Sequence, residues 1–145
     1  MKKLILTVIT VAFVSIVGGQ AGAAPPTLVS IDLLRQLDNT PAGWRSSGAF
    51  TDLGTWDGPP KHFGGVPSPT TGTLQEWTTQ YGSEGTFRIR WESQFNFATE
   101  VDRCEILGGT GAYAGLHGTG TWTFDVYGGY KHITCNATVL SDDRP

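Results

Sequence analysis

Lysine is scarce in this chain of 145 residues: there are four, and two of them stand at positions 2 and 3. Acidic residues outnumber basic ones 13 to 10, for a formal net charge of -3. So lysine-poor and acidic a chain lacks the electrostatic footprint of a phosphate-backbone binder, which excludes nucleic acid as a partner. Histidine is equally thin. His62, His117 and His132 are scattered, and no two stand at metal-ligand spacing. The two cysteines have no third ligand near them, so neither zinc nor any other cofactor is expected. No serine elbow and no paired-carboxylate motif is present, and the abundant threonines fit strand propensity. Chemistry driven by a strong nucleophile therefore has no support in the text.

Long apolar runs are also missing, except at the start. Lys2 and Lys3 precede an apolar stretch over 4–17, and Ala21-Gly22-Ala23 has the A-x-A pattern of a cleavage site. A basic start, an apolar centre and a small-residue site together read as a secretory signal peptide over 1–23. The stretch falls short of the ~20 residues a spanning helix needs. The expectation is a secreted protein, bacterial in the character of its leader and placed outside the cell or in its envelope, with no membrane span after processing. The remainder, 24–145, is one domain by length, and it can bury a core of its own. An even pair of cysteines in an exported chain reads as one disulfide, Cys104 with Cys135.

What is plentiful is glycine, 20 residues, and strand-like alternation. The clearest strand covers 86–97: Phe87, Ile89, Trp91, Phe95 and Phe97 share one parity, and Arg88, Arg90, Glu92, Gln94 and Asn96 the other. Alternation kept this long marks a strand with one buried face. Further β regions are expected over 28–37, 45–56, 73–81, 100–107, 119–127 and 130–140. A turn is expected over 38–43 and a two-residue hairpin at Gly128-Gly129. The loop 57–72 holds Lys61, His62 and Phe63 among prolines and glycines. It reads as a solvated excursion, with a substrate lid as the functional alternative. No convincing helix follows the leader. The fold class is all-β, an antiparallel barrel of about eight strands, because the strands are long and closure removes exposed edges.

The densest glycine text is Gly108, Gly109, Gly111, Gly115, Gly118 and Gly120. Gly109-x-Gly111-x-x-Ala114 after a strand-like segment fits the loose dinucleotide pattern. That pattern needs a helix next, and the glycines that follow would destabilise one by about 1 kcal/mol each. The chain instead enters another strand. These glycines therefore read as a bent connection between neighbouring strands, with Tyr113 and Leu116 anchoring it to the barrel end.

The run I-L-G-G-T-G-A-Y-A-G-L-H-G-T-G-T-W-T-F, after the alternating G-T-F-R-I-R-W-E-S-Q-F-N-F, resembles the allene oxide cyclase and dirigent barrel group of secreted proteins. It covers roughly 85–126, with Tyr113 at the aromatic position. The resemblance implies an eight-stranded antiparallel barrel with a central cavity, no cofactor and frequent trimeric association. In that group the plant enzymes close a ring in a fatty-acid epoxide, and dirigent proteins hold phenolic radicals for coupling. No active-site residue of the group maps onto this chain.

Two functional readings follow. In the first, the barrel binds a small apolar or aromatic compound and acts as a cofactor-free cyclase or isomerase. Phe87, Trp91, Phe95, Trp122 and Phe124 would line its cavity; the competing reading of these residues is a filled core. In the second, the domain is a non-catalytic extracellular binding module, for carbohydrate among other ligands. Trp77 and Tyr81, in a row with Gln75 and Thr79, would form its stacking platform; their competing reading is half-buried packing. Arg88, Arg90 and Glu92 read as a solvated outer row, or as a contact to a ligand or a second subunit in a homo-oligomer.

Overall fold

Period-two patterning becomes eight strands in a computed structural model that describes residues 25–58, 71–96 and 99–141. They are β1 (Thr27–Gln36), β2 (Pro41–Gly48), β3 (Leu53–Asp57), β4 (Thr71–Gly82), β5 (Thr86–Asn96), β6 (Thr99–Gly109), β7 (Leu116–Tyr127) and β8 (Tyr130–Ser141). Every strand pairs antiparallel with its sequence neighbours, and β8 returns to β1, closing the barrel. The signal-peptide segment 1–23, most of the 57–72 loop with Lys61, His62 and Phe63, and Phe97 lie outside the described residues.

Several expected boundaries move. Pro41 opens β2 rather than closing a turn. Pro has no N–H to give a ladder, and the first position of a strand is where that costs least. The expected single region 45–56 is two strands, because residues 49–52 fold back and the Ser46 N–H bonds the Asp52 carbonyl at 2.8 Å. β7 begins at Leu116, not at residue 119, and Gly108 and Gly109 end β6 instead of belonging to the connection. The Gly128-Gly129 hairpin is present, joining Tyr127 to Tyr130.

The lower end of the barrel, where β2–β3, β4–β5 and β6–β7 turn, is plugged by aromatics. Phe87 meets Trp44 edge-on with centroids 5.2 Å apart, and Tyr113 at 5.0 Å. Phe50 covers both Phe87 and Tyr113. Asp52 ties the three turns together, accepting from the Tyr113 hydroxyl at 2.6 Å and from the Ser83 hydroxyl at 2.8 Å. The connection that carries Tyr113 contains a short 3-10 turn, Gly111–Tyr113. Gly111 has φ of +61°, and a Cβ there would overlap the Glu84 carbonyl, so the residue is glycine for two reasons. As expected from the sequence, Tyr113 and Leu116 are buried against the barrel.

The Cys104–Cys135 disulfide is present. It joins β6 to β8 across the inner face of β7, next to Gly120, which pairs with Cys104. The two Cα atoms are 6.0 Å apart, whereas strands two apart in a flat sheet are separated by ~9.5 Å. The wall is folded sharply here. A Cβ on Gly120 would overlap the Asn136 carbonyl of β8, so only glycine permits the fold.

Candidate functional site

Side chains occupy the barrel interior. Phe87, Ile89, Ile31, Leu33, Ile133 and Cys135 are each 0% exposed, and Trp91 is 2% exposed. A cavity large enough for water would register as exposed surface on its lining, and these groups have almost none. Trp122 is partly buried, donates its Nε1–H to the Glu92 carbonyl at 3.1 Å and meets Trp91 edge-on at 6.2 Å. Phe124 lies higher on β7 and is 38% exposed, outside the packed interior. The side chain of Phe95 lies outside the described residues.

Part of this interior is polar, which the alternation did not disclose. The inward face of β4 is Glu76, Thr78 and Gln80, all buried. Thr78 Oγ1 accepts from Trp91 Nε1 at 2.8 Å and from Gln80 Nε2 at 2.6 Å. Arg35, fully buried on β1, lies over the Trp56 ring at 5.0 Å from its centroid. Burial pulls its guanidinium below the usual arginine pKa, and the charge of Glu76 works the other way. The text around β4, T-L-Q-E-W-T-T-Q-Y, has large aromatics on one parity and small or polar residues on the other. Read alone it points the aromatics inward. The interior already holds Trp44, Trp56, Phe87 and Trp91, and the smaller polar set is what fits.

That choice turns Trp77 and Tyr81 outward, where they are 40% and 45% exposed. They stand on the outer face of β4, each with more than half of its surface covered. Four residues apart on one strand, they are ~13 Å from each other. β5 sets Arg90 opposite Trp77, Arg88 opposite Thr79 and Glu92 opposite Gln75. On the other flank β3 sets Thr55 opposite Tyr81 and Asp57 opposite Thr79. The Gln75 amide donates to Glu92 at 2.6 Å and the Gln94 amide at 2.7 Å. The Gln75 bond, helped by Gln94 and the charges of Arg90 and Arg103, holds the Glu92 carboxyl below the ordinary range against the opposing effect of burial. Arg90 also pairs with Glu105 at 2.5 Å. Beside this row is a shallow depression of about 180 Å³ lined by Arg90, Glu92, Arg103, Glu105 and Thr119. Two flat aromatic faces are thus framed by amide, hydroxyl and guanidinium groups in ordered positions.

The remaining polar cluster is on the outer wall of β1, β2 and β8. Asp32 accepts from Arg45 Nη2 at 2.9 Å, and His132 Nδ1 lies 3.0 Å from its Oδ2. Tyr127 stacks on the His132 ring at 3.7 Å and helps to bury it. An aspartate–histidine pair becomes catalytic when the histidine activates a hydroxyl or thiol. Here the neighbouring Thr134 hydroxyl bonds Asp32 at 3.4 Å rather than the ring. The cluster clamps three strands together. His117 is exposed on β7. Among the described residues no group of three His, Cys, Asp or Glu side chains is placed to hold a metal, and no helix is long and apolar enough to cross a membrane.

No family model matches the chain, and no curated protein or solved structure is significantly similar to it.

Proposed function

We propose that this protein is a non-catalytic extracellular binding module that holds a carbohydrate against the outer face of β4 and β5. The observation that carries the reading is the outward placement of Trp77 and Tyr81 over a packed interior. A sugar ring has an apolar face and a hydroxyl edge. Trp77 and Tyr81 offer flat surfaces for the first, and Gln75, Thr79, Arg88 and Arg90 offer hydrogen bonds for the second. The cavity reading, a small apolar ligand held by Trp91 and Trp122, has less support because Trp91 is enclosed on all sides by protein. Kinship with the allene oxide cyclase and dirigent group belongs to the same proposal. Its support is the glycine run over 108–120 and the eight-stranded closed barrel. Export rests on the leader-like text of 1–23.

The test is titration of the exported protein against a panel of soluble polysaccharides and oligosaccharides, read by tryptophan fluorescence and calorimetry. Binding to at least one glycan is expected. Trp77→Ala should weaken it at least ~10-fold, about 1.4 kcal/mol, without lowering the unfolding midpoint. Binding that survives Trp77→Ala together with Tyr81→Ala, or no binding to any glycan at millimolar concentration, would sink the proposal.

A further inference from the structure

The outer face of β5 and β6 sets charge against opposite charge along its length, and then stops. Glu92 stands opposite Arg103, and Arg90 opposite Glu105. The next outward residue of β5 is Arg88. Here the ladder shifts register between Phe87 and Ile89, so two residues of β6, Leu107 and Gly108, stand against Arg88 alone. Gly108 has φ of +73°, the left-handed conformation that a bulge assigns to glycine. Leu107 is the outward residue of the two, at 36% exposure. The bulge thus ends the charge pairing, and β6 offers Arg88 an aliphatic side chain in place of a carboxylate.

On its other flank Arg88 lies opposite Thr79 of β4. Thr79 is midway between Trp77 and Tyr81, so Arg88 faces the gap between the two aromatics. The acid on that side, Asp57, is opposite Thr79 on β3, two strand spacings or ~9.5 Å from Arg88. Arg88 is exposed and makes no ion pair or side-chain hydrogen bond with the described residues. Its neighbours are engaged: Arg90 by Glu105, and the Gln75 and Gln94 amides by Glu92.

Building on the carbohydrate reading, we propose that Arg88 sets the specificity of this face and that the glycan it selects is acidic. The carboxylate of a uronic acid pairs with the Arg88 guanidinium while flanking sugars stack on Trp77 and Tyr81. A guanidinium carries five donors and no acceptor. A carboxylate matches that planar fork with two parallel, charge-assisted bonds, and a neutral hydroxyl does not. Trp77 and Tyr81 are ~13 Å apart, so a sugar chain laid along β4 passes Arg88 between its two stacking points. The net charge of -3 does not oppose an acidic ligand here, because three of the six arginines, Arg88, Arg90 and Arg103, stand on this face. Charges elsewhere on the surface are screened beyond ~8 Å at physiological salt.

The experiment is calorimetric titration of the exported protein with uronic-acid oligosaccharides of several linkages, each beside its carboxyl-reduced, neutral form. The acidic member of at least one pair should bind at least ~10-fold more tightly, as expected of a charge-assisted bidentate contact. Rising salt should narrow that margin. Arg88→Gln should bring the two forms to within ~2-fold of each other, with the unfolding midpoint unchanged, because the side chain is exposed and engages no described residue. Arg88→Lys should keep part of the margin, since it retains the charge without the fork. Acidic and neutral forms that bind alike to the wild type, or a full margin that persists in Arg88→Gln, overturn the role of Arg88 and leave the carbohydrate reading standing. Failure of both forms of every pair to bind removes that reading, and the acidic specificity with it.

Discussion

Replacing Cys104 and Cys135 together by alanine removes the covalent tie between β6 and β8 at the point where the wall is folded. The bond closes a loop with a sequence separation of 31. In the chain-entropy model a loop of that length restricts the unfolded state by ~3.7 kcal/mol at 25 °C. Both cysteines are buried, at 2% and 0% exposure, so lost packing adds about 1–2 kcal/mol. A loss of about 4–6 kcal/mol is large against the 5–15 kcal/mol that usually separates native from unfolded domains. The corresponding fall in midpoint is on the order of 10–20 °C. Urea unfolding followed by tryptophan fluorescence measures the total. Hydrogen exchange locates it. The β6–β7 ladder has three residue pairs and β4–β5 has eleven, so amides around 104–106 and 118–120 should lose protection first while those of β4 and β5 hold until global unfolding. A loss below about 1 kcal/mol, outside the usual range for a native disulfide, or a uniform loss of protection, would refute the account of the short β6–β7 ladder as the weak line of the wall.

Two further outcomes follow from the polar groups. Tyr113→Phe removes the hydroxyl that Asp52 accepts at 2.6 Å and should cost about 1.5–3 kcal/mol, as hydrogen bonds to charged groups do. Burial, and then the Asp52 charge beside it, holds the Tyr113 phenol well above its usual pKa, so it stays a donor across neutral pH. Asp52 responds in the opposite sense. Burial alone would raise it, but the bonds from Tyr113, Ser83 and the Leu53 N–H outweigh that and lower it. A lowered carboxylate contributes stability above its unfolded value of about 3.9 and loses it as pH falls through the folded value. Acid titration of the unfolding free energy below about pH 4 should therefore be shallower in Tyr113→Phe than in the wild type. In the interior, Glu76→Leu removes the charge that balances Arg35 and should cost about 3–5 kcal/mol, and Arg35→Met likewise, whereas the double variant should recover most of the loss. Additive losses in chemical denaturation would show that the two side chains are not coupled across the barrel.

The candidate site was half legible in the text. Trp77 and Tyr81 stand out by alternation, with Gln75 and Thr79 in the same row, and Arg88, Arg90 and Glu92 read correctly as an outer row. Which way the aromatics point was not legible. Period two assigns residues to faces but does not label a face as inner when both parities are mixed, as in β4. The same holds for Arg35, Asp32 and His132. Single polar residues on otherwise apolar strands carry no mark of burial until a partner arrives from another strand, Glu76 from β4 or Asp32 from β1.

The local chemistry of the chain decided its class. Phe87, Ile89 and Trp91 on one parity require a strand with a buried face. Gly128-Gly129 sets a tight hairpin. These are properties of neighbours in sequence, where backbone geometry and side-chain alternation act directly. Tertiary structure alone decided what fills the barrel and what is left outside it. The volume inside is shared by all eight strands, so the aromatics it accepts, Trp44, Trp56, Phe87 and Trp91 among them, leave the two on β4 outside. The fold at Gly120 that lets Cys104 reach Cys135 is also where the β6–β7 ladder stops. Neither consequence is written in any single stretch of residues, because each depends on how distant strands compete for the same space and the same hydrogen bonds.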